Sequence, residues 1–122
     1  MEKKIVPPLK GSKGPWSEAV RVGNFVFLAG QTPDDPDADI KTQVRQLLQN
    51  MKTNLERAGA TMDNVVHTYA FFANIAEDYA AMNEVYREFF KKDFPARCTL
   101  EVAKLGPSSR TRIKIDAIAY VQ

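Results

Sequence analysis

The sequence predicts an α+β domain in which two helices cover one face of a mixed β-sheet, in the order β-β-α-β-α-β-β. Three observations carry that expectation. Two stretches place their apolar residues on a single helical stripe, Ile40, Val44, Leu47, Leu48, Met51 and Leu55 in the first and Tyr79, Met82, Tyr86, Phe89 and Phe90 in the second. The last stretch alternates with a period of two, Ile113, Ile115, Ala117, Ala119 and Val121 on one side and Arg112, Lys114, Asp116, Ile118 and Tyr120 on the other. Between Ser17 and Gln31 two short apolar runs flank Gly23-Asn24, a pair that readily takes positive φ and closes a tight hairpin.

Taken in order, residues 1–15 contain Pro7, Pro8, Gly11, Gly14 and Pro15, which forbid a helix and leave an extended arm. The hairpin follows, and then TPDDPDAD, turn chemistry throughout, in which Asp39 is placed to cap the first helix. Gly59 supplies the left-handed residue that ends it. Asn64 to Ala73, NVVHTYAFFA, is β-branched and aromatic on both alternations, as expected of a central strand buried on both faces. Asn74 with Glu77 fits a capping box for the second helix, whose aromatics are expected to be core. Lys91 and Lys92 suit the negative end of that helix, and Pro95 stops it. The run Arg97 to Leu105 alternates Cys98, Leu100 and Val102 against Arg97, Thr99 and Glu101, and a Gly-Pro-Ser-Ser turn joins it to the last strand.

Length and composition narrow the function classes. A chain of 122 residues forms one domain, here 1–122, which buries roughly 65% of its unfolded surface and needs no metal or disulfide staple. Cys98 is the single cysteine, so no internal disulfide forms, which suits a reducing compartment. No apolar run approaches the roughly 20 residues that cross a bilayer. MEKKIVPPLKG carries charges and prolines where a signal peptide has its apolar segment, so a cytoplasmic protein is expected. A net charge of +2 is too small to argue for a nucleic-acid partner, and basic residues interleaved with acidic ones fit a solvated mixed-charge surface. His67 stands alone, without a second His or nearby Cys, so no metal site is expected and a satisfied or exposed strand histidine is. The sheet face that the helices leave uncovered predicts self-association.

Order and spacing of GPWSEAV, FVFLAGQTP, QVRQLLQNMKTNLERAGA, NVVHTYAFF, MNEVYREFF, PARCTLEVAKL and IKIDAIA together resemble the Rid family, also called YjgF/YER057c/UK114. These are small proteins that hydrolyse reactive enamines and imines without a cofactor. The resemblance implies a chorismate-mutase-like fold, a homotrimer, and sites for a small carboxylate-bearing substrate in the clefts between subunits. It assigns Arg97 as the guanidinium that grips the carboxylate of a 2-imino acid, a geometry that the planar fork fits better than a Lys would. It also places Ala29 and the backbone of Gly30, together with Cys98 and Thr99, in the pocket, and Asn83 at its edge.

Two positions depart from the family pattern. Trp16 stands where many deaminating members have Tyr, which keeps a flat apolar wall and removes the hydroxyl. Lys114 stands where the deaminases carry a Glu that positions the attacking water. A protonated Lys cannot accept a proton from water unless its surroundings lower its pKa. Three roles follow for Lys114: a perturbed catalytic base, a second anion anchor that with Arg97 grips a dicarboxylic enamine, or a cross-strand ion pair with Glu101 or Asp116. Cys98 has no paired base and is expected to be a small buried side chain rather than a nucleophile. The functional expectation is hydrolytic deamination of 2-imino acids to keto acids and ammonia. The rival from another class is a non-catalytic trimeric ligand-binding homologue that lost hydrolysis with the Glu-to-Lys change. A ribonuclease, a third reading, finds little support in a chain with one His and a basic group, Arg110, Arg112 and Lys114, confined to one strand.

Overall fold

The computed structural model describes residues 2–9 and 12–122. Gly11, part of the expected arm, lies outside them. The elements are β1 (Lys3–Val6), β2 (Ala19–Val22), β3 (Phe25–Gln31), α1 (Ile40–Arg57), a single 3₁₀ turn (Met62–Asn64), β4 (Val65–Phe72), α2 (Ile75–Phe89), β5 (Ala96–Glu101) and β6 (Ile113–Tyr120). One six-stranded sheet is ordered β1-β2-β3-β6-β4-β5, antiparallel at every pairing except the parallel β4/β5 pair. The sheet is therefore mixed and the helices pack on one face, as the sequence implies.

Part of the expected arm is a strand. Lys3–Val6 precedes the first proline, so its backbone N–H groups are free to pair with β2, and the structure adds β1 ahead of the expected order. The hairpin forms at Gly23-Asn24, with Gly23 alone of the pair at positive φ, 57°. Asp39 caps α1 by accepting from the Thr42 N–H at 2.9 Å. The other end closes with Gly59 at φ 83°, the Ala60 N–H donating to the Leu55 carbonyl and the Gly59 N–H to that of Glu56.

The core lies between the helices and the sheet. Val44, Leu47, Leu48, Met51 and Leu55 of α1 and Met82 and Val85 of α2 are fully buried, against Val26, Phe72, Ile113 and Ile115 of the sheet. Each such side chain contributes about 2 kcal/mol relative to an exposed one. Ile113, Ile115, Ala117 and Ala119 occupy the buried alternation of β6 as expected.

Two expectations change. β4 is central, between β6 and β5, yet only one of its faces is covered within the chain; Val66 and Tyr69 point away from the helices at 47% and 40% exposure. Phe25, Phe27 and Tyr120 continue this open face, with Phe25 and Tyr120 in edge contact at 5.0 Å. The second change concerns the last two strands, which are consecutive in sequence but not neighbours in the sheet. β4 separates them, because β5 pairs in parallel with β4 after the α2 crossover and β6 inserts between β3 and β4.

Candidate functional site

Arg97 is the second residue of β5, opposite the buried Thr68, and this register turns its side chain toward α2 at the sheet edge. Its guanidinium carbon lies 4.9 Å from the ring centre of Tyr86 and 5.7 Å from that of Tyr79. One terminal nitrogen donates to the Tyr79 hydroxyl at 3.2 Å, and the other lies 3.9 Å from the Met82 sulfur. Tyr86 is buried, and its hydroxyl shares a 2.9 Å hydrogen bond with Thr68, which fixes the ring that supports the guanidinium. Burial raises the Tyr86 phenol pKa, so it stays neutral. The Tyr79 phenol is shifted the other way, lowered first by a hydrogen bond from the Asn83 side chain and then by the charge of Arg97. Among the described residues no carboxylate forms an ion pair with Arg97. The surrounding cleft, ≈ 390 Å³, is walled by Tyr79, Asn83, Tyr86, Arg87, Phe94 and Pro95. A planar cation on two aromatic faces, open to one side and lacking an acid, can receive a carboxylate.

A second group of expected site residues gathers elsewhere. Trp16 and Gly30 line a cavity of ≈ 280 Å³ with Glu18, Gln31, Asn50 and Asn54. Its floor is a chain of hydrogen bonds in which Gln31 donates to Glu18 at 2.7 Å and accepts from Asn54 at 2.8 Å. Lys114 runs past Gly30; a Cβ on that glycine would sit 2.8 Å from Lys114 Cδ. The Lys114 ammonium donates to the Leu105 carbonyl at 2.6 Å. Glu101 instead accepts from the Ile75 N–H and Asp116 from the Tyr69 N–H, so neither is the ion-pair partner expected for Lys114. Burial raises the Asp116 pKa, partly offset by that Tyr69 hydrogen bond.

The structure brings Arg97 and Asn83 into one cleft, Trp16 and Gly30 into another, and sets Lys114 beside Gly30. Within one chain it does not bring Arg97 and Lys114 together. Arg97 is registered with the buried Thr68, and Lys114 with Phe71 on the opposite alternation of the same strand, so they belong to opposite faces of the sheet. Ala29 is half-buried next to Gly30, and Thr99 is half-buried two residues beyond Arg97. Cys98 is exposed, not buried, because the edge strand turns it to the open face.

The Endoribonuclease L-PSP family model matches residues 9–121. A RutC family protein of Pyrococcus abyssi is 41% identical, with 98% of each chain covered. A protein of Dermatophagoides farinae named 2-iminobutanoate/2-iminopropanoate deaminase is 38% identical over 89% of this chain and 88% of its own length. The crystal structure of a Mycobacterium tuberculosis member of the YjgF/YER057c/UK114 family superposes with a TM-score of 0.87 at 31% identity, covering 98% of this chain and all, 100%, of that one.

The chain belongs to the Rid family.

For a Rid protein, the residues that sequence reasoning missed are those around Arg97. Tyr79 and Tyr86 were expected only as core, yet Tyr86 supports the guanidinium from below and Tyr79 stands 41% exposed in the cleft. The signal was available in α2, where Tyr79, Asn83 and Arg87 recur at intervals of four and so share a helix face. Pro95, read as a helix stop, and Phe94 complete the wall of the cleft.

Proposed function

We propose that this protein hydrolyses 2-imino acids to 2-keto acids and ammonia, with Arg97 as the carboxylate anchor. The observation that carries the reading is Arg97 itself, half-buried against Tyr79 and Tyr86 with no carboxylate partner among the described residues. Desolvating a guanidinium without a counter-charge is costly, and the cost is recovered when a ligand supplies the anion. The relatives named as deaminases, in Dermatophagoides farinae and in Homo sapiens at 37% identity, support the same chemistry. In the reaction water adds to the C=N carbon, the nitrogen takes up protons and leaves as ammonia, and the carbonyl of the keto acid forms. Arg97 holds the carboxylate so that C2 faces the open side of the cleft, where water reaches it.

The assembly proposed is a homotrimer with sites between subunits. Its support is the open aromatic face of the sheet and the placement of Arg97 and Lys114 on opposite faces, which leaves one chain with two separated groups of site residues. Sedimentation equilibrium reads the mass directly, and a monomer would remove this part. The reaction is tested by generating 2-iminobutyrate or 2-aminoacrylate in situ with a dehydratase and following ammonia release. Acceleration by the wild type, lost in Arg97→Ala, is expected; no acceleration by the wild type would sink the reading for those substrates.

A second reading, a ligand-binding Rid protein without hydrolysis, is favoured by Lys114, whose ammonium is committed to the Leu105 carbonyl where a deaminase would carry a carboxylate. Activity that arises in Lys114→Glu and is absent from the wild type would select it. The nuclease reading lacks a comparable observation. Arg110 pairs with Asp37, Arg112 with Asp78 and Glu77, and Lys114 with Leu105, so those cations form no free phosphate-binding patch.

A further inference from the structure

The Arg97 cleft holds a second guanidinium. Arg87, on the last turns of α2, lines the same cavity, and among the described residues it has neither a hydrogen bond nor an ion pair. The acids nearest to it in sequence are engaged elsewhere: Glu84 pairs with Lys41 of α1, and Glu88 takes a bidentate contact from Arg45 of α1 at 3.1 and 3.0 Å. Among the described residues no Asp or Glu lines the cleft. Two unneutralised guanidinium groups in one recess create a positive potential that a single carboxylate only half satisfies. The Tyr79 phenol feels both, its pKa lowered by Asn83 first, then by Arg97 and, more weakly, by Arg87.

The spacing gives this charge a direction. Tyr79, whose hydroxyl meets Arg97, and Arg87 are eight residues apart on α2, about 12 Å along the axis at 1.5 Å per residue. Tyr79 and Arg87 share the same lean toward the helix N-terminus, and the nearer link is Tyr86, the residue before Arg87, whose ring centre lies 4.9 Å from the Arg97 guanidinium carbon. Asn83 lies midway on the same face, able to contact a polar group between the two anions.

We propose that the cleft selects ligands with two anionic groups, short dicarboxylic 2-imino or 2-keto acids, with Arg97 holding the α-carboxylate and Arg87 the distal one. This rests on the reading of Arg97 as carboxylate anchor, and it transfers the role of second anchor from Lys114, which the fold sets on the other face of the sheet, to Arg87.

Calorimetric titration with 2-oxoglutarate and 2-oxobutyrate compares two charges against one. The wild type is expected to bind 2-oxoglutarate about tenfold more tightly, the size of one added charge-assisted contact. Arg87→Gln brings the two ligands to within about twofold of each other by weakening 2-oxoglutarate far more than 2-oxobutyrate, whereas Arg97→Ala weakens both alike, as expected of a shared anchor. Lys92→Gln, which removes a nearby positive charge outside the cleft, retains the preference. Equal affinity for the two acids in the wild type, or a preference that survives Arg87→Gln, overturns the proposal. Because binding is read separately from ammonia release, the two ideas fail separately: a dicarboxylate preference dependent on Arg87 in a protein that accelerates no imine hydrolysis would remove the deaminase reading and keep this one.

Discussion

Arg97 and Arg112 lie against the same helix and have opposite fates. Arg112 meets the first turn of α2, where its Nε donates to Asp78 at 3.0 Å and a terminal nitrogen reaches both Asp78 and Glu77. Asp78 is fully buried, and the Arg112 backbone N–H is taken up by Gln43 of α1 at 2.9 Å. The guanidinium is neutralised by α2, while the backbone N–H of the same residue ties α1 to the start of β6. Arg97 meets the middle of α2, where the side chains presented are Tyr79, Met82 and Tyr86. Aromatic faces hold a guanidinium in place without consuming its charge or most of its donors. The difference lies in what the helix presents rather than in the arginines: where it offers acids the cation becomes structural, and where it offers rings the cation stays available to a ligand.

That contrast is open to direct attack. Removing the acid from the structural pair should have the largest effect. Asp78→Ala removes the buried partner, leaves the partly exposed Arg112 with Glu77 alone, and is expected to cost about 2 kcal/mol in urea denaturation. Arg97→Ala should reverse the pattern, changing stability by less than about 1 kcal/mol while weakening keto-acid binding by about tenfold or more. Equal stability losses in the two variants would show that Arg97 is structural as well. Tyr79→Phe sharpens the account of the rings: the platform stays and the hydroxyl that accepts from Arg97 goes, so binding should fall about threefold, the scale of one solvent-exposed hydrogen bond. The same phenol should titrate at higher pH in Arg97→Ala, since a neighbouring positive charge favours phenolate and its loss removes that help; NMR of ring-labelled tyrosine reads this. Gly30→Ala should matter least, costing under about 1 kcal/mol, because the added Cβ meets the flexible stem of Lys114 rather than backbone. Its informative readout is whether the displaced ammonium leaves the Leu105 carbonyl and changes ammonia release.

Much of the fold was legible. The α1 stripe, its Asp39 cap and Gly59 stop, the Gly23-Asn24 hairpin and the buried alternation of β6 all follow from chemistry local to each segment. Period and capping depend on neighbours within a turn or a pleat, and so the residues themselves specify them. Arg97 was legible as a candidate through its PAR context, and the structure gives it an acid-free setting. The exposure of Cys98, the strand at Lys3–Val6 and the single covered face of β4 were not legible, since each depends on which strand lies alongside.

The sequence by itself determined the two helices, every strand but β1, the order of those elements and the identity of the ionisable groups. Only the tertiary structure decided which cation is neutralised and which is left open. Asp78 reaches Arg112 across 34 positions and Tyr79 reaches Arg97 across 18, contacts made when β5 docks beside β4 and β6 inserts on the other side. That same insertion set Lys114 and Arg97 on opposite faces, because strand register fixes the face of every side chain and register is settled by pairing, not by the strand alone.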